Sequence, residues 1–528
     1  MMTPHNRIES GRQLPTTDGR FESLHIILGF LGSTFLVLCG IMAIPLMMAV
    51  LVGEITNIII VKAFLIPIVL SGFIGMLLRI LFHGGKPTSL HAMLICSLGW
   101  IGFSALGALP YVIGLRASYV DSYFEAMSGF TTTGITLFSG LDQMSHTILF
   151  WRSLTQWLGG LGILTFFLMV THRGSSAHQL FGAESHKITV KRPVPGLLNT
   201  VRILWLIYGG FTLLIAVALY GAGMNPFDSM CHSFTTLSTG GFSTHDASIG
   251  FYTMSGYAHG VIIQYIIIIG MILGGTNFLI HYRVLKKNVR ALWDTVEMKY
   301  WWGLIAAFVC LICIERLIRI ESIQISGNAR VWSHAEETVR TILFQVVAII
   351  TTTGFGTQDI SSPFFGEVAR QLFLMMMVIG GCVGSTGGGF KVLRVVILGK
   401  LIDREVYRSR TPRRAVSTVV VDGSPVSSDE IQRVSGLFFM WIVLIIIGGA
   451  ITAFLTHLGG YEALSGMFSA MGNIGPSFIS VETMAQFNPV VKITYIMGML
   501  AGRLEILPVL LLFSPRAWSP TRKMLRRW

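Results

Sequence analysis

The chain has 528 residues, 52% hydrophobic and 12% charged, with a mean hydropathy of +0.67. A soluble protein of this size carries roughly a quarter charged residues, so much of this surface faces lipid. The net charge of +13 does not point to nucleic acid, because Lys and Arg gather in alternate connections between apolar stretches. Met1–Glu22 is polar and mixed in charge, and the apolar run from Leu24 is too long for the core of a cleavable leader. It is read as an uncleaved first span.

Ten apolar segments follow in chain order, at 24–51, 59–82, 91–114, 147–171, 200–222, 257–281, 302–320, 367–400, 433–457 and 489–514. Stretches such as Ile59–Phe82, Ile203–Ala222, Val261–Ile280 and Leu437–Leu455 are near the ~20 residues that cross a bilayer core. One basic connection holds Arg173, Lys187, Lys191 and Arg192, and the next holds Arg283, Lys286, Lys287 and Arg290. The richest holds Lys391, Arg394, Lys400, Arg404, Arg408, Arg410, Arg413 and Arg414. The tail adds Arg516, Arg522, Lys523, Arg526 and Arg527, whereas Asp121, Asp228 and Asp246 fall in the intervening connections. This is the positive-inside pattern, and it predicts that both termini are cytoplasmic.

After the first two segments, each successive pair encloses about twelve moderately apolar residues followed by Thr, Ser and Gly. Apolar runs this short do not span and often mark re-entrant segments. The four inserts align without gaps: Asp121–Thr136, Asp228–Ser243, Thr341–Gly356 and Glu462–Ser477. Gly134, Gly241, Gly354 and Gly475 coincide, with Asp121, Asp228, Thr341 and Glu462 thirteen positions earlier. Three residues before those stand Ser118, Asn225, Thr338 and Gly459, each read as a helix N-cap with a residue for the capping box or the helix dipole behind it. Chance likeness between four ordinary loops would not reproduce caps, acids and glycines together. Each insert is therefore predicted to be a half-helix of about ten residues, ~15 Å long, returning as an extended Thr/Gly-rich segment. Trp157-Leu158-Gly159-Gly160, Ile272-Leu273-Gly274-Gly275, Val378-Ile379-Gly380-Gly381 and Leu500-Ala501-Gly502-Arg503 repeat in the span that follows.

Non-helical backbone at membrane depth is tolerated only where protein buries it or it lines a water-filled path. Four such segments around an axis would present rings of backbone carbonyls, which can replace the hydration shell of a potassium ion. Glycine supplies the backbone freedom to aim them, and the half-helices direct their negative dipole ends at the same centre. Asp121, Asp228 and Glu462 are expected at the outer mouth, where acids concentrate cations.

The motifs Thr131-Thr132-Thr133-Gly134, Ser238-Thr239-Gly240-Gly241-Phe242, Thr351-Thr352-Thr353-Gly354-Phe355 and Gly472-Asn473-Ile474-Gly475-Pro476 carry a resemblance. The chain resembles the Trk/Ktr/HKT superfamily, and within it the TrkH-type branch with its additional first pair of spans. The resemblance implies that carbonyls of Thr132, Thr133, Gly134, Thr239, Gly240, Gly241, Thr352, Thr353, Gly354, Asn473, Ile474 and Gly475 hold the ion. Glycine at Gly134 resembles the potassium-preferring members. Asn473 and Ile474 depart from the Thr-Thr of other repeats.

The run from Gly380 to Gly389 breaks the eighth segment, since a glycine costs about 1 kcal/mol in a helix interior. The family places a mobile pore-blocking loop here, which implicates Gly384, Ser385, Thr386, Gly387, Gly388 and Gly389. A phosphate-binding loop is the competing reading, but Val392 follows Lys391, so the usual ending is absent. Arg503 stands within the last span, where an arginine normally faces a cavity or a partner. It is read as a positive charge below the filter, or structurally as an ion pair with Glu505 or an acid of another unit. Cys310 and Cys313, spaced CxxC inside a span, read as structural.

The expectation is an all-α polytopic membrane protein with about ten transmembrane helices and four pseudo-symmetric pore units. Its parts are an N-terminal cytoplasmic segment at 1–23, an extra pair of spans at 24–90, and repeats at 91–199, 200–301, 302–432 and 433–528. The expected activity is potassium uptake across the bacterial cytoplasmic membrane, without enzymatic chemistry, bound cofactor or nucleic acid. The resemblance further implies lipid contact, a TrkA-type cytosolic nucleotide-binding partner and a homodimer. A solute transporter with a midplane site and a membrane-embedded enzyme are the rivals. Neither convergent nucleophile nor paired catalytic carboxylates are found for the latter.

Overall fold

The computed structural model describes residues 19–518 except 83, 84, 86, 172–196, 321–327, 413–416 and 516. The polar N-terminus, parts of two basic connections and the basic tail lie outside the described residues. Lipid offers no hydrogen-bond partners to the backbone, so the apolar segments satisfy themselves as helices. The extra pair is α1 (Gly19–Val52) and α2 (Ile58–Leu81). The first repeat holds α3 (Ser89–Gly107), α4 (Leu109–Leu115), half-helix α5 (Tyr119–Phe130) and α6 (His146–Thr171). The second holds α7 (Leu197–Gly221), half-helix α8 (Pro226–Leu237), α9 (Gly260–Gly275) and α10 (Phe278–Leu285). The third holds α11 (Val296–Ile320), α12 (Asn328–Ile350), α13 (Glu367–Val378) and α14 (Val392–Ser409). The fourth holds α15 (Ser428–Leu455), half-helix α16 (Gly460–Gly472), α17 (Pro489–Arg503) and α18 (Leu507–Phe513). A small hairpin, β1 (Val420–Val421) with β2 (Ser424–Pro425), lies between α14 and α15. The protein is an all-α polytopic membrane protein. Among the described residues, six helices are long and apolar enough to cross a membrane, or seven if one bent pair counts as a span.

The first pair closes on reciprocal glycines. A methyl group on Gly32 would lie 2.8 Å from the Gly75 carbonyl oxygen, and one on Gly75 would lie 2.9 Å from that of Gly32. The turn between them then reaches the pore domain. Glu54 accepts from the backbone N–H groups of His146 (2.9 Å) and Thr147 (3.1 Å) and from the Thr147 hydroxyl (2.6 Å). It satisfies donors that the start of α6 leaves open.

Three half-helices begin on the predicted caps. Ser118 Oγ accepts from Asp121 N (3.2 Å), Asn225 Oδ1 from Asp228 N (2.7 Å), and Glu462 accepts from Gly459 N (3.3 Å). The third repeat differs. Its α12 has 23 residues and runs through Thr338, which is therefore no cap. Good helix formers such as Ala335, Glu336, Glu337 and Arg340 surround it, with no Gly, Pro or Asn to stop the helix.

Two further spans are broken where no break was predicted. The sixth bends by 105° between α9 and α10, because Asn277 Oδ1 accepts from Leu279 N (2.8 Å) and caps a new helix. The tenth breaks between α17 and α18, where Glu505 and Ile506 have positive φ (60° and 67°) and Pro508 stands in the first turn of the new helix.

Candidate functional site

The three half-helices and the long α12 end in the same way. The second residue past the helix, or the first past α16, takes a left-handed conformation: Thr132 (φ 52°), Thr239 (53°), Thr352 (60°) and Asn473 (53°). The next N–H then bonds back: Thr133 N to Ser128 O (2.8 Å), Gly240 N to Thr235 O (2.8 Å), Thr353 N to Ala348 O (2.8 Å) and Ile474 N to Ser469 O (3.1 Å). This is a Schellman ending, and it satisfies the N–H groups at the cost of a strained residue. Three of those residues are threonines, and a β-branched side chain at positive φ is a genuine outlier. Such strain persists only where the surroundings over-determine it, and it clusters at functional sites. The sequence named these threonines for the filter but looked to glycine alone for positive φ, so their left-handed backbone was not foreseen.

Two residues on, Gly134, Gly241, Gly354 and Gly475 also have positive φ (81°, 78°, 81° and 109°). Their missing side chains define a closed ring. A methyl group on Gly134 would overlap the Gly240 carbonyl oxygen, one on Gly241 that of Thr353, and one on Gly354 that of Ile474. On Gly475 it would lie 3.2 Å from the Thr133 carbonyl oxygen. Each repeat thus presses its glycine against the carbonyl of the next, and the fourth returns to the first. The spans behind use glycine too. A methyl on Gly274 would lie 2.7 Å from Leu237 O, and those on Gly159 and Gly502 would overlap Phe130 O and Met471 O. The repeated Gly-Gly lets each following span touch the end of its half-helix.

The glycine-rich run lies directly against this ring. Gly388 N donates to Thr352 Oγ1 (2.8 Å), and Thr239 Oγ1 to Thr386 Oγ1 (3.3 Å). A methyl on Gly388 would lie 2.6 Å from Asn473 Cβ. The loop therefore meets three of the four left-handed residues. Thr386 is its hub. Its hydroxyl lies 2.9 Å from Leu237 O and 3.0 Å from Gly274 O, and its N–H donates to Gly274 O (3.1 Å). Arg503, 2% exposed, donates to Thr386 O (2.7 Å) and to Gly159 O (2.8 Å). Glu505, offered above as its ionic partner, instead pairs with Arg394. Elsewhere the loop is anchored by Cys382 N to Gly275 O (3.0 Å), Gly384 O from Phe278 N (3.0 Å) and Val383 N to Glu297 (2.7 Å). Ser385 lies within the run, its hydroxyl 3.2 Å from Gly387 N, and Gly389 takes a left-handed φ of 68°. Lys391 and Arg394, counted above with the basic connection, are buried, and the Lys391 ammonium donates to Gly387 O.

The three acids do not form a ring of free carboxylates. Asp121 pairs with Lys492, and Glu462 is engaged with its own cap. Asp228 is 3% exposed and accepts from Thr244 Oγ1 (2.6 Å), Tyr252 OH (3.0 Å) and His245 Nε2 (3.0 Å). His245 also bonds Asp142 of the first repeat through Nδ1 and stacks on Phe251. Behind the first repeat's segment lies a buried ion pair. Glu125 accepts from Arg152 Nε (2.9 Å) and Nη2 (2.7 Å) and from Leu137 N (3.1 Å), while Arg152 Nη1 donates to Ser243 O (3.1 Å). The rule that singled out Arg503 as an intramembrane arginine applies equally to Arg152 and would have found it.

This arrangement, four repeats closed in a ring with a glycine-rich run packed against it, fits a membrane transport protein. A family model described as a cation transport protein, TrkH, matches residues 60–520. The Trk system potassium uptake protein TrkH of Escherichia coli K12 is 34% identical over 441 residues, covering 82% of this chain and 87% of that protein. Its counterpart in Vibrio parahaemolyticus is 33% identical over 450 residues, covering 83% and 87%. The crystal structure of the potassium transporter TrkH from Vibrio parahaemolyticus superposes with a TM-score of 0.80 at 29% identity, covering 94% of this chain and 99% of that one. The chain belongs to the TrkH family of cation transport proteins.

Two predictions follow from the buried charges. Arg152→Met leaves Glu125 buried and unpaired, which costs about 3–5 kcal/mol. Its melting temperature in detergent should fall well below the wild type's, and an unchanged value would show that the pair does not hold this segment. Burial alone would lower the pKa of His245, but hydrogen bonds to Asp228 and Asp142 raise it above the ordinary value. The stabilisation it gives is therefore complete below the ordinary histidine pKa and is lost as pH rises through the raised one. Melting temperature should fall over that window in the wild type, and His245→Gln should flatten the fall.

Proposed function

We propose that the chain carries potassium into the cell through the axis enclosed by the four repeats. The observation that supports this most directly is the closed succession of glycine-to-carbonyl contacts, Gly134 to Gly240, Gly241 to Thr353, Gly354 to Ile474 and Gly475 to Thr133. Backbone oxygens held on all sides of one axis can replace water around a bare monovalent cation without a fixed charge to trap it. The filter comprises Thr132, Thr133, Gly134, Thr239, Gly240, Gly241, Thr352, Thr353, Gly354, Asn473, Ile474 and Gly475. The names of the relatives, potassium uptake proteins, favour potassium as the cargo.

The loop Gly384–Gly389 is the gate on this reading, held shut through Thr386 by Arg503. The buried guanidinium adds a positive charge below the filter and bridges the fourth repeat to the first. Asp121, Asp228 and Glu462 serve the half-helix starts and contribute negative potential at the outer mouth rather than binding ions directly. The protein resides in the bacterial cytoplasmic membrane with both termini inside. A TrkA-type nucleotide-binding subunit regulates it from the cytosol, and it assembles as a homodimer.

Rubidium and potassium uptake into cells lacking their own potassium systems tests this, with the chain expressed alone and with a TrkA-type subunit. Gly354→Val should abolish uptake, because its side chain would occupy the place of the Ile474 carbonyl oxygen. Wild-type protein that inserts yet transports neither ion would sink the proposal and favour an organic solute. Arg503→Ala frees the Thr386 carbonyl from the guanidinium, so uptake without the regulatory subunit should rise; equal or lower flux in inserted protein would count against the gate.

A further inference from the structure

Three of the four spans behind the filter place a buried methionine one residue before the repeated four-residue motif: Met271, Met377 and Met499. The first repeat places Gln156 there, and it too is fully buried. Gln and Met have nearly the same length, so the exchange alters chemistry rather than volume.

The filter residue before the shared glycine departs in the second repeat from its equivalents in the other three. Thr133, Thr353 and Ile474 carry side chains, whereas the second repeat has Gly240. The two departures meet in space. A side chain on Gly240 would overlap the amide of Gln156. In the space so released, Gln156 Nε2 donates to Gly240 O (2.6 Å), and Gln156 Oε1 accepts from Phe242 N (3.0 Å). The amide thus clamps the backbone on both sides of Gly241. In repeats one and three a different clip serves, Thr131 Oγ1 to Thr133 Oγ1 and Thr351 Oγ1 to Thr353 Oγ1, each 2.7 Å. Gly240 can make no such clip.

Among the described residues, Gly240 O alone of the four ring carbonyls accepts a hydrogen bond. We infer that Gln156 is a specificity-determining positioning residue, fixing the direction and lowering the field strength of the second repeat's carbonyl. The inference rests on the filter reading above. A carbonyl oxygen carries two lone pairs, and with one taken by an amide it cannot tilt inward to close on a smaller ion. Without Gln156 the Gly240 carbonyl is free to tilt, and sodium is accommodated better.

Gln156→Met copies the residue of the other three repeats. Gln156→Glu, of nearly the same volume, keeps an acceptor for Phe242 N but, when ionised, loses the donor to Gly240 O. Uptake of rubidium and of sodium would be measured in proteoliposomes holding equal amounts of inserted protein. Both variants should still transport rubidium, with the rubidium-to-sodium ratio reduced roughly two- to tenfold, the scale of one hydrogen bond. A role confined to folding would lower both fluxes together and leave the ratio unchanged. A wild-type ratio in Gln156→Met overturns the inference while leaving the filter standing; if that variant does not insert, a wild-type ratio in Gln156→Glu at alkaline pH, where the carboxylate is ionised and cannot donate, decides the matter in the same way. Failure of the wild type to transport either ion would instead remove the filter reading itself.

Discussion

Everything in this molecule depends on how backbone is satisfied in the middle of a membrane. An unpaired N–H or C=O in hydrocarbon costs several kcal/mol, so a chain that stops being helical there must account for each group. The half-helix endings do this with one device used four times. Their N–H groups turn back onto the helix that has just ended, and the ring carbonyl oxygens are left facing the neighbouring repeat's glycine. Left-handed threonines are the cost of that turn, and the tight ring of neighbouring repeats supplies the constraint that keeps them there.

The same logic explains the glycines, which serve three separate purposes. Those of the ring, Gly134, Gly241, Gly354 and Gly475, make room for the next repeat's carbonyl. Those of the following spans let a helix lie directly on a half-helix end. Those of the loop let it thread between Gly274, Thr352 and Asn473 without side chains in the way. A glycine count alone would not separate these roles; their neighbours do.

Much of this was legible in the sequence, and the pattern of what was not is physical. The four inserts, their caps in repeats one, two and four, and the interruption at Gly380–Gly389 all rest on local chemistry, and local chemistry is written in the order of residues. The long α12 was misjudged because a capping residue is only permissive, and Thr338 sits among helix formers that override it. The bends at Asn277 and Glu505 escaped notice because a single residue in an apolar run gives little signal. Ionic partners were the least legible. Arg503 was visible as a charge at depth, but that Glu505 would choose Arg394 depends on how α14 packs, which no spacing reveals. Gln156 was silent for the same reason: its meaning lies in a glycine 84 residues away.

The ring also closes in a particular direction. Gly475 of the last repeat faces the Thr133 carbonyl of the first, and the Asn473 amide donates to the Thr133 hydroxyl (2.9 Å). The chain's earliest pore segment therefore lacks a wall until its latest one has been made. Without the fourth repeat the contacts of Gly134 with Gly240 and of Gly241 with Thr353 could still form, but Gly354 and the Thr133 carbonyl would each face no neighbouring repeat. Because the chain is made from its N-terminus, closure of the ring has to wait for its last quarter.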